Sequence, residues 1–414
     1  MRKLNCAGRV YDNAEQLNLK KAAAEFWLTS GHFCDEFETA LTAYLSTDRC
    51  LLVNSGSSAN LLAFATLASQ KLARTRIKRG DEVITTAACF PTTVSPIVQF
   101  GAIPVFVDIT IPQYNVDYES LEAAVTNRTK AVFLAHTMGN PFDINKIHEF
   151  CSSHNLYLIE DCSDALGSRY LFENNSLSVG SVGEMATLSF YPAHMITTGE
   201  GGAVYTNFTE LGEIAASLRD WGRDCTCGTG QDNSCGERFN GQYGTLPFGY
   251  DHKYVYSDFG YNLKMTDLQA SVGVAQMKKL PGFVVIRKSN WQFLRDVLED
   301  LSDILYLPEA LEGSDPCWFG FMLTIREPTE RLNRRLMQLF LEKEGIQTRT
   351  LFAGNILRQP CFQHLKEGTD YKQVGLLKNT DKVMDDSLWV GVYPGLSLED
   401  MKYIGTTIRK FVRR

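Results

Sequence analysis

The 414-residue sequence contains no apolar run approaching the roughly 18 residues that a membrane-spanning helix requires. Its opening, MRKLNCAGRV, lacks the apolar core of a secretion signal, so the expected setting is cytoplasmic, with no membrane partner. An excess of positive charge is also missing: 41 Lys and Arg stand against 48 Asp and Glu, a net charge of -7. This balance argues against a protein that grips nucleic acid by neutralising phosphates. Eleven cysteines are an odd number, and several lie inside apolar runs, so a disulfide framework is the weaker reading. Internal repeats, low-complexity tracts and charge blocks are lacking too. General disorder is excluded by 44% hydrophobic and 21% charged residues.

What is present is an alternation of short apolar runs with amphipathic stretches. The runs are Leu51 to Val53, Glu82 to Ile84, Pro104 to Val107, Ala131 to Leu134 and Leu156 to Ile159, with helical patterns at Asn60 to Ala68 and Ile144 to Cys151 between them. Continuous β-rich runs separated by helices predict an α/β unit with a mainly parallel sheet covered on both faces. Two further runs, Met185 to Phe190 and Ala203 to Tyr205, flank Gly199-Glu200-Gly201-Gly202, a turn between adjacent strands. Later come helical stretches from Thr266 through Leu280 and from Ile286 to Leu301, then an apolar run from Trp318 to Ile325. They predict a large domain over residues 1–280 and a smaller C-terminal α/β domain over 281–414. The glycine-rich segment 225–250 has no periodicity and reads as a long functional loop.

Three motifs carry chemistry. Asn54-Ser55-Gly56-Ser57-Ser58-Ala59-Asn60 follows a strand and opens a helix, where free N–H groups and hydroxyls suit a phosphate or simply cap the helix. Ile159-Glu160-Asp161 puts carboxylates at the C-terminal end of a buried strand, where ligands bind in open α/β sheets; capping by Asp161 is the plainer reading. The third is Ser189-Phe190-Tyr191-Pro192-Ala193-His194, followed by Gly199-Glu200-Gly201-Gly202-Ala203.

In this order the three motifs resemble the sugar aminotransferase family, pyridoxal-phosphate enzymes of the aspartate aminotransferase fold. Phe37-Glu38, Pro104 to Asp108, His136 to Pro141 and Gly260 to Met265 extend the resemblance over nearly the whole chain. It implies a large, mainly parallel sheet of the seven-stranded type. Where that family has its cofactor-holding lysine, this sequence has His194. An imidazole has no primary amine to bind the cofactor covalently, but it moves protons near neutral pH. That difference resembles the deoxysugar 3-dehydrases, which use pyridoxamine phosphate to remove the C-3 hydroxyl of a nucleotide-linked 4-keto-6-deoxyhexose. One branch, the ascarylose-pathway type acting on CDP-4-keto-6-deoxyglucose, carries a 2Fe-2S cluster fed by a separate flavin and iron-sulfur reductase. The colitose-pathway type has no cluster and uses glutamate. A non-catalytic sensor or scaffold is a third reading.

The spacing Cys225-x-Cys227-x7-Cys235 matches the three loop ligands of the cluster-bearing branch, with a structural zinc or free thiols as alternatives. In that branch the fourth ligand comes just after the acidic pair. Here Cys162-Ser163-Asp164-Ala165-Leu166-Gly167 has serine at that place, leaving Cys162, the Ser163 oxygen, or no cluster. The resemblance further implies that Asp161 pairs with the cofactor's ring nitrogen and that Phe90 stacks on the ring. Gly56, Ser57 and Ser189 would hold the phosphate, with Asn262 reaching over from the second subunit of a homodimer. His194 would move the protons, with Tyr191 and Asp164 beside it in the catalytic pocket.

Overall fold

The computed structural model describes residues 3–414. Thirteen strands are found among them: β1 (Arg49–Val53), β2 (Glu82–Thr86), β3 (Ile103–Val107), β4 (Thr129–Ala135), β5 (Tyr157–Asp161), β6 (Arg169–Phe172), β7 (Asn175–Ser178), β8 (Met185–Ser189), β9 (Gly202–Thr206), β10 (Leu305–Tyr306), β11 (Gly320–Ile325), β12 (Lys372–Gln373) and β13 (Ser387–Gly391). Eight form one sheet in the order β1-β9-β8-β5-β4-β2-β3-β12. β9 runs antiparallel to β1 and β8, and every other pair in this sheet is parallel. The expected large, mainly parallel sheet is therefore present. Its eighth strand is the two-residue β12, contributed from far along the chain to the edge at β3.

The sheet is buried on both faces, which explains why its strands read as unbroken apolar runs. Two glycines let its site end close up. A side chain at Gly202 would lie 2.5 Å from the Ser55 carbonyl oxygen, and one at Gly56 would lie 2.4 Å from Ser189 Cβ. On the outer side of β1, Glu38 Oε1 accepts from Leu52 N (2.8 Å) and from Arg219 Nη1 (2.8 Å), tying the His32–Leu45 helix to the strand.

The two helices expected around Pro281 are one. A single helix spans Asp267–Leu298, opened by a capping box between Thr266 and Gln269, with Pro281 inside it. Proline removes one backbone donor, but the helix buries apolar side chains on both sides of it: Ala270, Val274 and Leu280 before, Phe283, Trp291 and Leu294 after. Its second half packs with a three-stranded sheet, β10-β11-β13, around a separate core that includes Leu298, Phe321, Met337, Val390 and Ile408. Residues 225–250 contain neither helix nor strand, as their composition suggests. No helix among the described residues is long and apolar enough to cross a membrane.

Candidate active site

A cavity of about 750 Å³ opens at the C-terminal ends of β4, β5 and β8. It is lined by Gly56, Ser57, Phe90, Asp161, Asp164, Ser189, Tyr191 and His194, so one pocket gathers every expected cofactor and catalytic residue except Asn262. Each arrives for a local reason. Gly56 starts the Gly56–Ala68 helix, whose cap Ser55 accepts from Ser58 N through Oγ (3.1 Å). The earlier backbone N–H groups of that first turn remain for an anion. Phe90 caps the Pro91–Gln99 helix and is half exposed over the cavity.

Asp161 is buried and its carboxylate accepts from four donors. Asn60 Nδ2 (2.9 Å) and Thr93 Oγ1 (2.8 Å) reach Oδ2, while Ser163 N (3.1 Å) and Ser163 Oγ (2.7 Å) reach Oδ1. Asn60 is itself held by Thr187 Oγ1, which donates to its Oδ1 (2.7 Å). The neighbouring Glu160 points to the opposite face, as strand alternation requires. It is wholly buried and accepts from Gly180 N (2.9 Å), Gly183 N (2.7 Å) and His136 Nε2 (2.9 Å), a structural anchor for the turn before β8. His136 Nδ1 accepts from Phe142 N, which leaves the proton on Nε2.

His194 Nδ1 lies 3.3 Å from Asp164 Oδ1, but the two are not aligned as a hydrogen bond. His194 Nδ1 and Asp164 Oδ2 are both buried and have no hydrogen-bond partner among the described residues. Unpaired polar atoms beside a carboxylate, a helix N-terminus and an aromatic face make a pocket that fits an anionic heterocycle such as a pyridoxal-type cofactor. Behind His194, buried Arg287 donates through Nη2 to the His194 carbonyl (3.1 Å) and through Nη1 to those of Trp318 and Phe319 (3.3 and 3.2 Å). Burial lowers the Arg287 pKa from its ordinary value.

The DegT/DnrJ/EryC1/StrS aminotransferase family matches residues 10–409. The chain belongs to this family. It is 49% identical over 405 residues to the lipopolysaccharide biosynthesis protein RfbH of Salmonella typhimurium, covering 98% of this chain and 91% of that protein. It is 46% identical to the dTDP-4-dehydro-2,6-dideoxy-D-glucose 3-dehydratase of Saccharopolyspora spinosa, covering 99% of this chain and 86% of that protein. Among solved structures, the E. coli GDP-4-keto-6-deoxy-D-mannose-3-dehydratase with bound hydrated PLP superposes with a TM-score of 0.86 at 27% identity, covering 99% of this chain and 100% of that one.

The cysteines divide in two. The Sγ atoms of Cys225, Cys227 and Cys235 lie within 4.8 Å of one another. The Ser234 side chain and neighbouring hydrogen bonds push the Cys227 pKa down to about 6, whereas burial pushes that of Cys225 up. Cys162 is not brought to this trio. Its wholly buried thiol donates to the Glu160 carbonyl (3.6 Å), and burial raises its pKa well above the ordinary value. Ser163 faces the cavity instead, engaged by Asp161. Asn262 is exposed, accepts from Lys264 Nζ (2.8 Å) and does not line its own chain's cavity.

Sequence reasoning missed the residues that position Asp161 and those supplied by the second half of the chain. Asn60 lies inside the helix-opening motif and Thr93 stands next to the Phe90-Pro91-Thr92 turn, so both were findable. Arg287, Phe319, Gln347, Arg349 and Trp389 reach the cavity or its wall only through tertiary packing.

Proposed function

We propose that the chain catalyses the pyridoxamine-phosphate-dependent removal of the C-3 hydroxyl of a nucleotide-linked 4-keto-6-deoxyhexose in deoxysugar biosynthesis, in the cytoplasm. The observation that carries this reading is His194: an imidazole, not an amine, lies in the cavity that Asp161 and the Gly56 helix also face. Gly56, Ser57 and Ser189 would hold the cofactor phosphate, Asp161 its ring nitrogen and Phe90 its ring face. Bound there, pyridoxamine phosphate supplies an amine for the keto carbon and a ring that accepts an electron pair. His194 holds and moves the proton, its buried Nδ1 leaving Nε2 as the exchanging atom, with Asp164 and Tyr191 lining the same cavity. Overall, two electrons and two protons enter, C–OH becomes C–H, and one water leaves.

In the same proposal the thiols of Cys225, Cys227 and Cys235 hold an iron-sulfur centre that relays electrons from a flavin and iron-sulfur reductase. The unit is a homodimer in which Asn262 serves the neighbouring site, and the chain divides into domains over 1–280 and 281–414. A second reading is a cluster-free, glutamate-dependent 3-dehydratase; the absence of Cys162 from the thiol trio favours it. Purification without oxygen, then assay of iron, acid-labile sulfide and turnover with a reductase or with glutamate, separates the two. His194→Lys tests the shared part: borohydride reduction with pyridoxal phosphate should label position 194 and dehydration should fall. A folded variant that is never labelled overturns the placement of the cofactor.

A further inference from the structure

The thiol trio supplies three donors, while small inorganic centres of this kind take four protein ligands. Cys162 is turned into the core and Ser163 is committed to Asp161, so the fourth donor has to come from elsewhere. Beside the trio, the same small cavity that Cys225, Cys227 and Cys235 line is also lined by His252. His252 Nδ1 is buried and has no hydrogen-bond partner among the described residues. A buried imidazole nitrogen without a partner is costly in a folded chain, and a metal ion is the ligand that thiolates and an imidazole share.

We propose that His252 completes the metal centre of the cysteine loop through Nδ1, giving a donor set of three thiolates and one imidazole. This rests on the reading above that the loop holds metal.

His252 stands outside the group of three thiols whose donor atoms lie within 4.8 Å of one another, so its ring has to close on them when metal binds; its remaining contacts suit a ligating histidine. Its other nitrogen, Nε2, lies 3.3 Å from Asp224 Oδ2, and Asp224 directly precedes Cys225. A carboxylate on the far nitrogen fixes the tautomer and orientation of a metal-binding ring. The ring is stacked on Tyr243 with centroids 4.7 Å apart and planes 5° from parallel. The chain segments are also tied together. Arg238, three residues after Cys235, accepts from His252 N through its carbonyl (2.9 Å), and its guanidinium grips the Asp251 carboxylate (2.8 and 3.1 Å). Asp224 N in turn donates to the Val255 carbonyl (2.9 Å). The 252 turn is thereby fastened on one side to the segment carrying Cys235 and on the other to that carrying Cys225. Two other residues of that lining are engaged elsewhere: Asn233 Oδ1 accepts from Arg238 N (3.1 Å), and Lys253 is paired with Asp232. Replacing one thiolate by a neutral imidazole removes a negative charge from the centre and raises its reduction potential relative to an all-thiolate one.

The test uses the full-length chain. Metal-free protein titrated with Co²⁺ should bind one ion per chain, with thiolate charge-transfer bands and the intense visible bands of four-coordinate cobalt. His252→Ala should weaken that binding by at least about tenfold, and Asp224→Asn by about 10- to 100-fold, the range for partners of a ligating histidine. His252→Cys should restore tight binding with stronger thiolate bands, which keeps the test valid if the alanine variant does not fold. In protein purified without oxygen and labelled with ¹⁵N-histidine, pulsed EPR of the reduced iron centre should show a directly bound nitrogen, lost in His252→Cys. If His252→Ala binds Co²⁺ as tightly as the parent with the same spectrum while Cys225→Ser does not bind, the fourth donor is another group and this inference falls alone. If the parent neither binds Co²⁺ nor contains iron, the metal reading falls and takes the inference with it.

Discussion

Replacing Asp161 by alanine separates two explanations of why this carboxylate is tolerated in the core. In the folded chain it satisfies four donors. The hydroxyls of Thr93 and Ser163 can rotate to other acceptors, but the Asn60 amide and the Ser163 backbone N–H cannot. Two stranded amide donors, at about 1–3 kcal/mol each, predict a loss of about 2–6 kcal/mol. An unfolding entropy of about 2.1 cal/mol/K per residue comes to about 0.9 kcal/mol/K for this chain length, so the melting temperature should drop by about 2–7 °C. Calorimetry on cofactor-free protein measures this. Asp164→Ala is the control, since it removes a similarly buried carboxylate from the same cavity, but one that accepts no hydrogen bond among the described residues and so strands no donor. Its melting temperature should stay within about 1 °C of the parent. Equal shifts in both variants, or none in Asp161→Ala, would refute the stranded-donor argument. Pyridoxal phosphate should then raise the melting temperature of the parent and of Asp164→Ala more than that of Asp161→Ala, because a ligand stabilises only as far as it binds the native state.

Arg287→Met removes the donors to the carbonyls of His194, Trp318 and Phe319; kcat should fall by about 10- to 100-fold with little change in KM, and Arg287→Lys should recover part of it, as steady-state kinetics will show. In native metal-free protein a thiol reagent should modify Cys361, Cys225, Cys227 and Cys235, while the seven buried cysteines react only on unfolding, which mass spectrometry can count. Burial raises the pKa of Glu184, whose Oε2 accepts from Leu158 N (2.6 Å). Its folded pKa thus lies above its unfolded one, so ionisation opposes folding and stability is lost as pH rises through the folded value. Glu184→Gln should therefore raise the urea midpoint more at about pH 8 than at about pH 4.5; a pH-independent effect would overturn this.

The sequence alone determined the large sheet and the local pieces of the site, because those depend on short-range pattern. Runs such as Ala131 to Leu134 are apolar on both faces only if the strand is buried on both. Gly56 and Ser57 sit at a helix start because a strand ends at Val53 and Ser55 caps the helix after it. The imidazole at 194 is likewise visible in one line of sequence. The break expected between Leu280 and Ile286 is absent because local pattern does not register the packing that keeps the Asp267–Leu298 helix continuous past Pro281, which is spread over two cores. Tertiary structure alone decided what surrounds each chemical group. The donors of Asp161 come from the Gly56–Ala68 helix, the Pro91–Gln99 helix and the turn after β5, segments far apart in the chain. Arg287 reaches the His194 carbonyl across 93 residues of sequence. Cys162 and Ser163 are adjacent in sequence, yet one thiol faces the core and one hydroxyl the cavity, because side chains continue to alternate as the chain leaves β5. Spacing can bring three thiols of one loop together, but which fourth group stands beside them is fixed by how the 252 turn folds back over that loop.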